Sequence, residues 1–425
     1  MYGRYKNHVS DSKGSVYRMN ILYINHYAGS PQMGMEFRPY YFAREWVKMG
    51  HNVTMIAGDY SHLRSKNPDV GEDFQESDID GIGYVWLKTG KYDGNGVKRA
   101  LTMKRFVSKL YISAGKIAEK FSPDVVIASS TYPLDTYPAR RIAKKAGAKL
   151  IHEVHDMWPA TLTEIGGMSK YHPFVIAMQV AENAAYRNSE QVVSLGPLTE
   201  PYMREHGLAE NKFIHIPNGV DVDEWENPQP LPANVEERLR DIRSKGKFVM
   251  GYFGGHALSN NLGELIEVAT LLRNRKIHFV LVGNGVEKKS LIELAAERGL
   301  GNIDFFDPVP KKAIPTLVKF FDCGYVGAKD SPLYRFGICM NKIFDYMAAE
   351  LPIVCAITTP SSQVSEAGCG ICVDSGNADA IADAVIEMSE NSHEKMKELG
   401  ERGKKAVSEK YRYDILAKRF SELFE

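Results

Sequence analysis

Hydrophobic positions along this chain come in short unbroken runs, not in alternation. Residues 19–25, 52–57, 124–129, 149–154 and 191–195 are strand-length apolar runs, separated by stretches with apolar residues at three- and four-residue steps. An unbroken apolar run reads as a strand covered on both faces, and strands separated by helices join in parallel. A second series has runs near 248–253, 278–282, 302–306, 323–327, 353–357 and 370–373. Between the two series, residues 221–246 turn proline-rich and then densely charged, as a linker would. The pattern predicts an α/β chain: an extension at 1–18, Rossmann-like doubly wound domains at 19–220 and 247–410, and an amphipathic helix at 411–425. Open sheets of this kind bind ligands outside the carboxyl ends of their strands, so two facing domains predict a site in the interdomain cleft.

Composition narrows the function classes. With 425 residues the chain is long enough for two cores, and its 53 basic residues balance 53 acidic ones, which argues against a nucleic-acid partner. Residues 1–18 are polar, without the apolar core of a signal peptide, and Met19 is a second candidate start. No run of eighteen uncharged apolar residues follows, so the expected location is the cytoplasm. The five cysteines lie in the last quarter, and the one C-x-x-C, Cys369 to Cys372, lacks a second pair; no metal is expected there. After the first strand there is no G-x-G-x-x-G, so no dinucleotide cofactor is expected. On a strand ending at 154, His152 and His155 point to opposite faces, which weighs against a metal site.

The chemistry concentrates in SPLYRFGICMNKIFDYMAAELPIVCAI, residues 331–357. Asn341 has a capping side chain, Lys342 opens a helical pattern, and Pro352 ends it ahead of a buried strand. A helix start offers unpaired N–H groups and a partial positive charge, so a lysine there suits a diphosphate. Asp345, one turn on, could accept hydrogen bonds from ribose hydroxyls. The alternative is a surface ion pair between Lys342 and Asp345.

The segment NKIFDYMAAELPIV resembles the helix of family 4 glycosyltransferases with the GT-B fold, in the branch that includes WbuB. The resemblance implies Asp345 at the ribose of the donor nucleotide, with Asn341 and Lys342 at its phosphates. The family's second glutamate falls on Gly337, which leaves Asp330, Gly337 and Ile338 as candidate sugar contacts. Glu350 stands where the family usually has glycine. By the same resemblance Gly34 and Arg38 lie on the loop near phosphates and acceptor. The resemblance also implies His155 as a ligand of the donor sugar or as a donor on the phosphate side, with Glu153 as a further sugar contact or as its orienting carboxylate. Gly254, Gly255, Gly283 and Gly285 form phosphate-side turns, and IPNGVD at 216–221 resembles the family's hinge. The implied activity is a retaining, metal-independent transfer of a hexosyl or acetamidohexosyl group from a nucleotide-sugar, UDP first, in which His155 and Lys342 act. The implied acceptor is a saccharide or a polyprenyl-diphosphate-linked sugar in surface polysaccharide synthesis. Two alternatives remain: a non-hydrolysing nucleotide-sugar epimerase, or a nucleotide-sugar-binding subunit without turnover.

Residues 97–120 hold seven basic residues and one acidic. Leu101, Val107, Leu110, Ala114 and Ile117 form the expected core stripe, and Lys98, Lys104, Arg105 and Lys109 a basic face for an anionic membrane surface.

Overall fold

The computed structural model describes residues 18–34, 37–94 and 96–425; the extension at 1–17 lies outside the described residues. The chain divides into two compact units, one running to Pro217 and taking in Tyr413–Glu425, the other spanning Asn218–Arg412.

The first unit is built on an eight-stranded sheet of β1 (Asn20–Ile24), β2 (Asn52–Gly58), β3 (Gln75–Ile79), β4 (Ile82–Leu87), β5 (Val125–Ala128), β6 (Lys149–Val154), β7 (Gln191–Ser194) and β8 (Phe213–His215). Their order is β3-β4-β2-β1-β5-β6-β7-β8, and only β3 runs antiparallel, against β4. The expected runs are central strands. Those absent from the expected runs are β3, β4 and β8: β3 and β8 are edge strands that need not be apolar on both faces, whereas β4 is an apolar, largely buried run, IGYVWL, that the expected series passed over. Asp80 and Gly81 both have positive φ in the turn between β3 and β4, as an Asp-Gly hairpin turn requires.

Helix α1 (Phe37–Lys48) packs Tyr41, Phe42 and Trp46 against Tyr413 and Phe420 of the closing helix Tyr413–Ser421. The Trp46 Nε1–H donates to the Ala417 carbonyl at 3.1 Å. The other sheet face is covered by α2 (Val97–Phe121) and α3 (Thr136–Ala146). Helix α2 buries Met103, Phe106, Leu110, Ala114 and Ile117, so the stripe is shifted from the expected one and Leu101 is exposed.

The second unit holds six parallel strands, β9 (Phe248–Phe253), β10 (Ile277–Val282), β11 (Ile303–Phe306), β12 (Cys323–Gly327), β13 (Ile353–Ala356) and β14 (Gly370–Val373), in the order β11-β10-β9-β12-β13-β14. The expected linker is in large part a helix of this unit. Over Ala233–Ser244 its charges face outward, while Val235, Leu239 and Ile242 enter the core beside Val249 and Val318. In each sheet the strand order reverses once, at β1 between β2 and β5 and at β9 between β10 and β12. Such switch points open a crevice at the carboxyl ends, where loops can hold a ligand.

Candidate active site

In the first unit, the switch point carries a buried charge cluster. Glu153, on β6, has no exposed surface and accepts from four side chains. The Arg38 guanidinium donates to Oε1 at 2.9 and 3.0 Å; the Tyr23 and Ser129 hydroxyls donate to Oε2 at 2.5 and 2.6 Å. His155 Nε2 lies 3.2 Å from Oε2 and 2.9 Å from Ser129 Oγ. Burial alone would raise the Glu153 pKa, but Arg38 and His155 hold it well below the usual carboxylate range. The same burial, with Glu153 alongside, pushes the Tyr23 phenol well up. His152 lies apart, its Nδ1 at 3.3 Å from the Ala128 carbonyl, and burial lowers its pKa to about 4. The Trp158–Pro159 peptide is cis, and Trp158 packs with Tyr27, Tyr132 and Met178. Gly34 sits at φ 61°, where an added Cβ would meet Ser65 Oγ at 2.7 Å.

In the second unit, the loops after β9 and β10 clasp each other. The His256 N–H donates to the Asn284 carbonyl at 2.8 Å and the Glu287 N–H to the His256 carbonyl at 3.0 Å. Gly283 has φ 153°, and a Cβ there would lie 1.9 Å from the Gly254 oxygen, so only glycine fits. This clasp consumes most of the expected phosphate cradle. Gly254 N–H donates to Val282, Gly283 N–H to Phe306 and Gly285 N–H to the Asn284 side chain, at 2.9, 3.0 and 2.8 Å. Among these four glycines Gly255 alone keeps an N–H without a protein acceptor in the described residues.

Lys342 reaches this clasp from the helix Asn341–Ala348. Its Nζ is 3.1 Å from where a Cβ on Gly254 would stand and 5.0 Å from the centre of the Tyr252 ring. Helical side chains lean toward the helix start, which aims Lys342 at the turn and away from Asp345. Lys342 makes no ion pair among the described residues, and burial pulls its pKa down to about 8 against the raising effect of Asp345. The expected Lys342–Asp345 surface pair therefore does not form. Asp345 is 5% exposed and bound instead by Lys311, at 2.9 and 3.0 Å. Burial opposes the Lys311 charge, but Asp345 and Glu224 raise its pKa overall. Asn341 is not the cap: Met340 holds that position without a side-chain hydrogen bond, and Asn341 is the exposed first helical residue. Helix-start N–H groups are thus left uncapped beside Lys342.

The loop before this helix forms a short 3-10 turn, Pro332–Phe336, ended by Gly337 at φ 81°. Asp330 is exposed. Ile338 is not placed for a sugar: its side chain is buried in the core, its N–H donates to Ser361 at 3.3 Å, and its carbonyl accepts from Gln363 at 2.8 Å.

Two family models match opposite halves of the chain: glycosyl transferase 4-like domain over residues 33–219, and glycosyl transferases group 1 over residues 235–406. The chain belongs to the group 1, family-4-like glycosyltransferases. It is 24% identical over 354 residues to WcaI of Escherichia coli K12, described as a colanic acid biosynthesis glycosyl transferase, covering 79% of this chain and 84% of that one. Among solved structures it matches sucrose-phosphate synthase of Thermosynechococcus elongatus with a TM-score of 0.72 and 16% identity, covering 96% and 98% of the two chains. Anabaena HepE in complex with UDP and glucose matches with a TM-score of 0.64 and 15% identity, covering 96% and 99%. These likenesses bear out the GT-B fold.

In this glycosyltransferase two expected contacts are corrected by burial. Arg38 is 5% exposed, and besides Glu153 it donates to the carbonyls of Ile216 and Pro217 at 2.9 and 2.6 Å, so its guanidinium is not displayed to an acceptor. Glu153, fully enclosed, cannot touch a sugar; it holds His155 instead. Sequence reasoning missed Tyr23, Ser129 and Lys311. Ser129 stands directly after an apolar strand, which was a usable signal; Tyr23 within a strand and Lys311 in a proline-flanked loop gave none.

Proposed function

We propose that this glycosyltransferase moves a hexosyl or acetamidohexosyl group, with retention, from a UDP-sugar onto a saccharide or polyprenyl-diphosphate-linked acceptor in surface polysaccharide assembly. The observation that carries the donor half is Lys342: a half-buried amine against Gly254, at an uncapped helix start, with no carboxylate paired to it among the described residues. A desolvated cation beside free N–H groups stabilises the charge that grows on a departing diphosphate, so the neutralisation falls to this chain and not to a metal ion. Asp345, kept in place by Lys311, takes the ribose hydroxyls, and His155, oriented by Glu153 and Ser129, acts at the sugar. The acceptor attacks from the face that the nucleotide leaves, and the diphosphate takes its proton. The UDP in the HepE complex and the colanic acid role of WcaI support the choices of base and pathway class.

Calorimetry with UDP and GDP tests the donor site. Wild type should prefer UDP, and Lys342→Ala should lose at least about tenfold in affinity, the loss of one charge-assisted contact. Equal affinity in the variant would remove Lys342 from the site.

A further inference from the structure

The C-x-x-C at Cys369–Cys372 has no part in the site described above, and the fold gives Cys372 a different neighbour. All five cysteines are free, and Cys372 alone is exposed. It lies on β14, the edge strand of the second sheet, as the register partner of Cys355 on β13. Side chains alternate faces along a strand, so paired residues of two parallel strands leave the sheet on the same side. Cys355 is buried there in the core with Val364 and Cys369. Gly370 lets the two strands close: an added Cβ would stand 1.9 Å from the Ile353 carbonyl oxygen. Neighbouring strands run about 4.7–4.9 Å apart, inside the Cα separation of about 4.4–6.8 Å that a disulfide spans. Cys369, just ahead of β14, is turned elsewhere, its thiol donating to the Val364 carbonyl at 3.7 Å.

Cys372 Sγ lies 3.4 Å from the Ser362 hydroxyl. Cys355 and Ser362 hold the Cys372 thiol below the usual thiol range against the opposing effect of burial, which favours the thiolate, the form that attacks disulfides. Ser362 also caps the helix Gln363–Ala367 by accepting from the Ser365 N–H at 3.2 Å. Its two neighbours clamp the loop that leads to Lys342: the Ser361 carbonyl accepts from the Ile338 N–H at 3.3 Å, and the Gln363 side chain donates to the Ile338 carbonyl at 2.8 Å. We propose that Cys372 and Cys355 are a modification site, oxidised by a small disulfide to a reversible bond that loosens the clamp on Ile338. The Cys372 thiolate attacks one sulfur of the small disulfide, forming a mixed disulfide, and the first small thiolate leaves with the Cys372 proton. Cys355 then attacks Cys372 Sγ, and its proton goes to the second departing thiolate. One small disulfide and two protein thiols thus become one protein disulfide and two small thiols. The new bond holds Cys372 Sγ about 2.05 Å from Cys355 Sγ and draws it from Ser362. Disulfides formed in a reducing compartment are characteristically transient and sensing, and exposed ones are the readily reduced ones.

The test is incubation of the full chain with oxidised glutathione, followed by peptide mapping and hydrogen exchange by mass spectrometry. No sugar donor is present, so the result is independent of the transferase reading. Wild type should lose two hydrogens, yield a peptide linked through Cys355 and Cys372, and return to the free thiols with dithiothreitol. Exchange in the peptide carrying Ile338 should speed up several-fold on oxidation and recover on reduction. Cys372→Ser, a change at an exposed edge position, should abolish the link and leave Ile338 exchange indifferent to the oxidant. Cys355→Ala should stop at the mixed disulfide on Cys372; if burial at that position keeps this variant from folding, the mapped link and Cys372→Ser decide. Cys369→Ala should form the link as wild type does. A Cys369–Cys372 link, a mixed disulfide that persists in wild type, or Ile338 exchange unchanged by oxidation would each overturn the proposal.

Discussion

The two strand-end clusters solve the same electrostatic problem in opposite ways. Around Glu153 a carboxylate is buried completely, and a guanidinium, two hydroxyls and an imidazole converge on it. Around Lys342 an amine is partly buried with an aromatic face and a glycine turn for company, and its charge is weakened, not matched. A charge satisfied from within the protein has little left for a ligand, whereas one left short is stabilised when an anion arrives. The first cluster therefore reads as scaffold for one imidazole, the second as an anion receptor.

The sharpest way to break this contrast is to unbalance the satisfied cluster. Arg38→Met leaves Glu153 as a buried charge without its main partner and should destabilise the first unit by about 3–5 kcal/mol in denaturant unfolding. Adding Glu153→Met should recover most of that loss, because the charge goes with its partner. The cluster also sets an acid limit. The folded-state pKa of Glu153 is depressed, so its stabilisation is present above the ordinary value of 4.5 and is lost as pH falls below it toward the folded value. A small loss from Arg38→Met alone would mean that the ion pair is incidental.

A next, smaller effect concerns what that scaffold is for. His155→Ala should reduce turnover by about tenfold to a hundredfold while the donor KM moves little, as for a group that acts on the reacting sugar and not on the nucleotide. Stability should change far less than in Arg38→Met, since Glu153 keeps Arg38, Tyr23 and Ser129. If KM rises and turnover holds, the imidazole belongs to binding, and the contrast between the clusters narrows.

What the chain disclosed before folding follows the range over which each signal acts. Parallel strands buried on both faces write themselves as apolar runs, so most internal strands of both sheets were legible, β4 excepted, whereas the polar edge strand Gln75–Ile79 was not. Charge misled twice. The outward face of Ala233–Ser244 looked like a linker, and Arg38, expected near phosphates and acceptor, is buried because it has a partner 115 positions away, without which arginine is seldom buried. Lys342 and Asp345 stood out through their spacing on one helix. That they do not pair depends on Lys311, brought in from a separate loop, which no local pattern reports.

The last prediction concerns the charge that is left short. Burial pulls the Lys342 amine down from 10.5 to about 8, because it disfavours the ammonium more than Asp345 supports it. A bound diphosphate supplies the missing counter-charge and holds the proton on. Below about pH 8 the amine is already charged and UDP affinity should be flat. Above it, each binding event must take up a proton, so affinity should fall by about tenfold between pH 7 and pH 9. The stability effect has the opposite sense. The unfolded chain binds the proton more tightly between 8 and 10.5, so the cost of burying this ammonium is fully present below about 8 and is relieved as pH rises through that window. Calorimetric titrations of UDP at pH 7, 8 and 9 on wild type and Lys342→Met separate the cases: the wild-type decline should vanish in the variant. A decline of equal size in both would assign the titration to another group, and a flat wild-type profile would mean that the amine is charged without its ligand, making the two clusters alike.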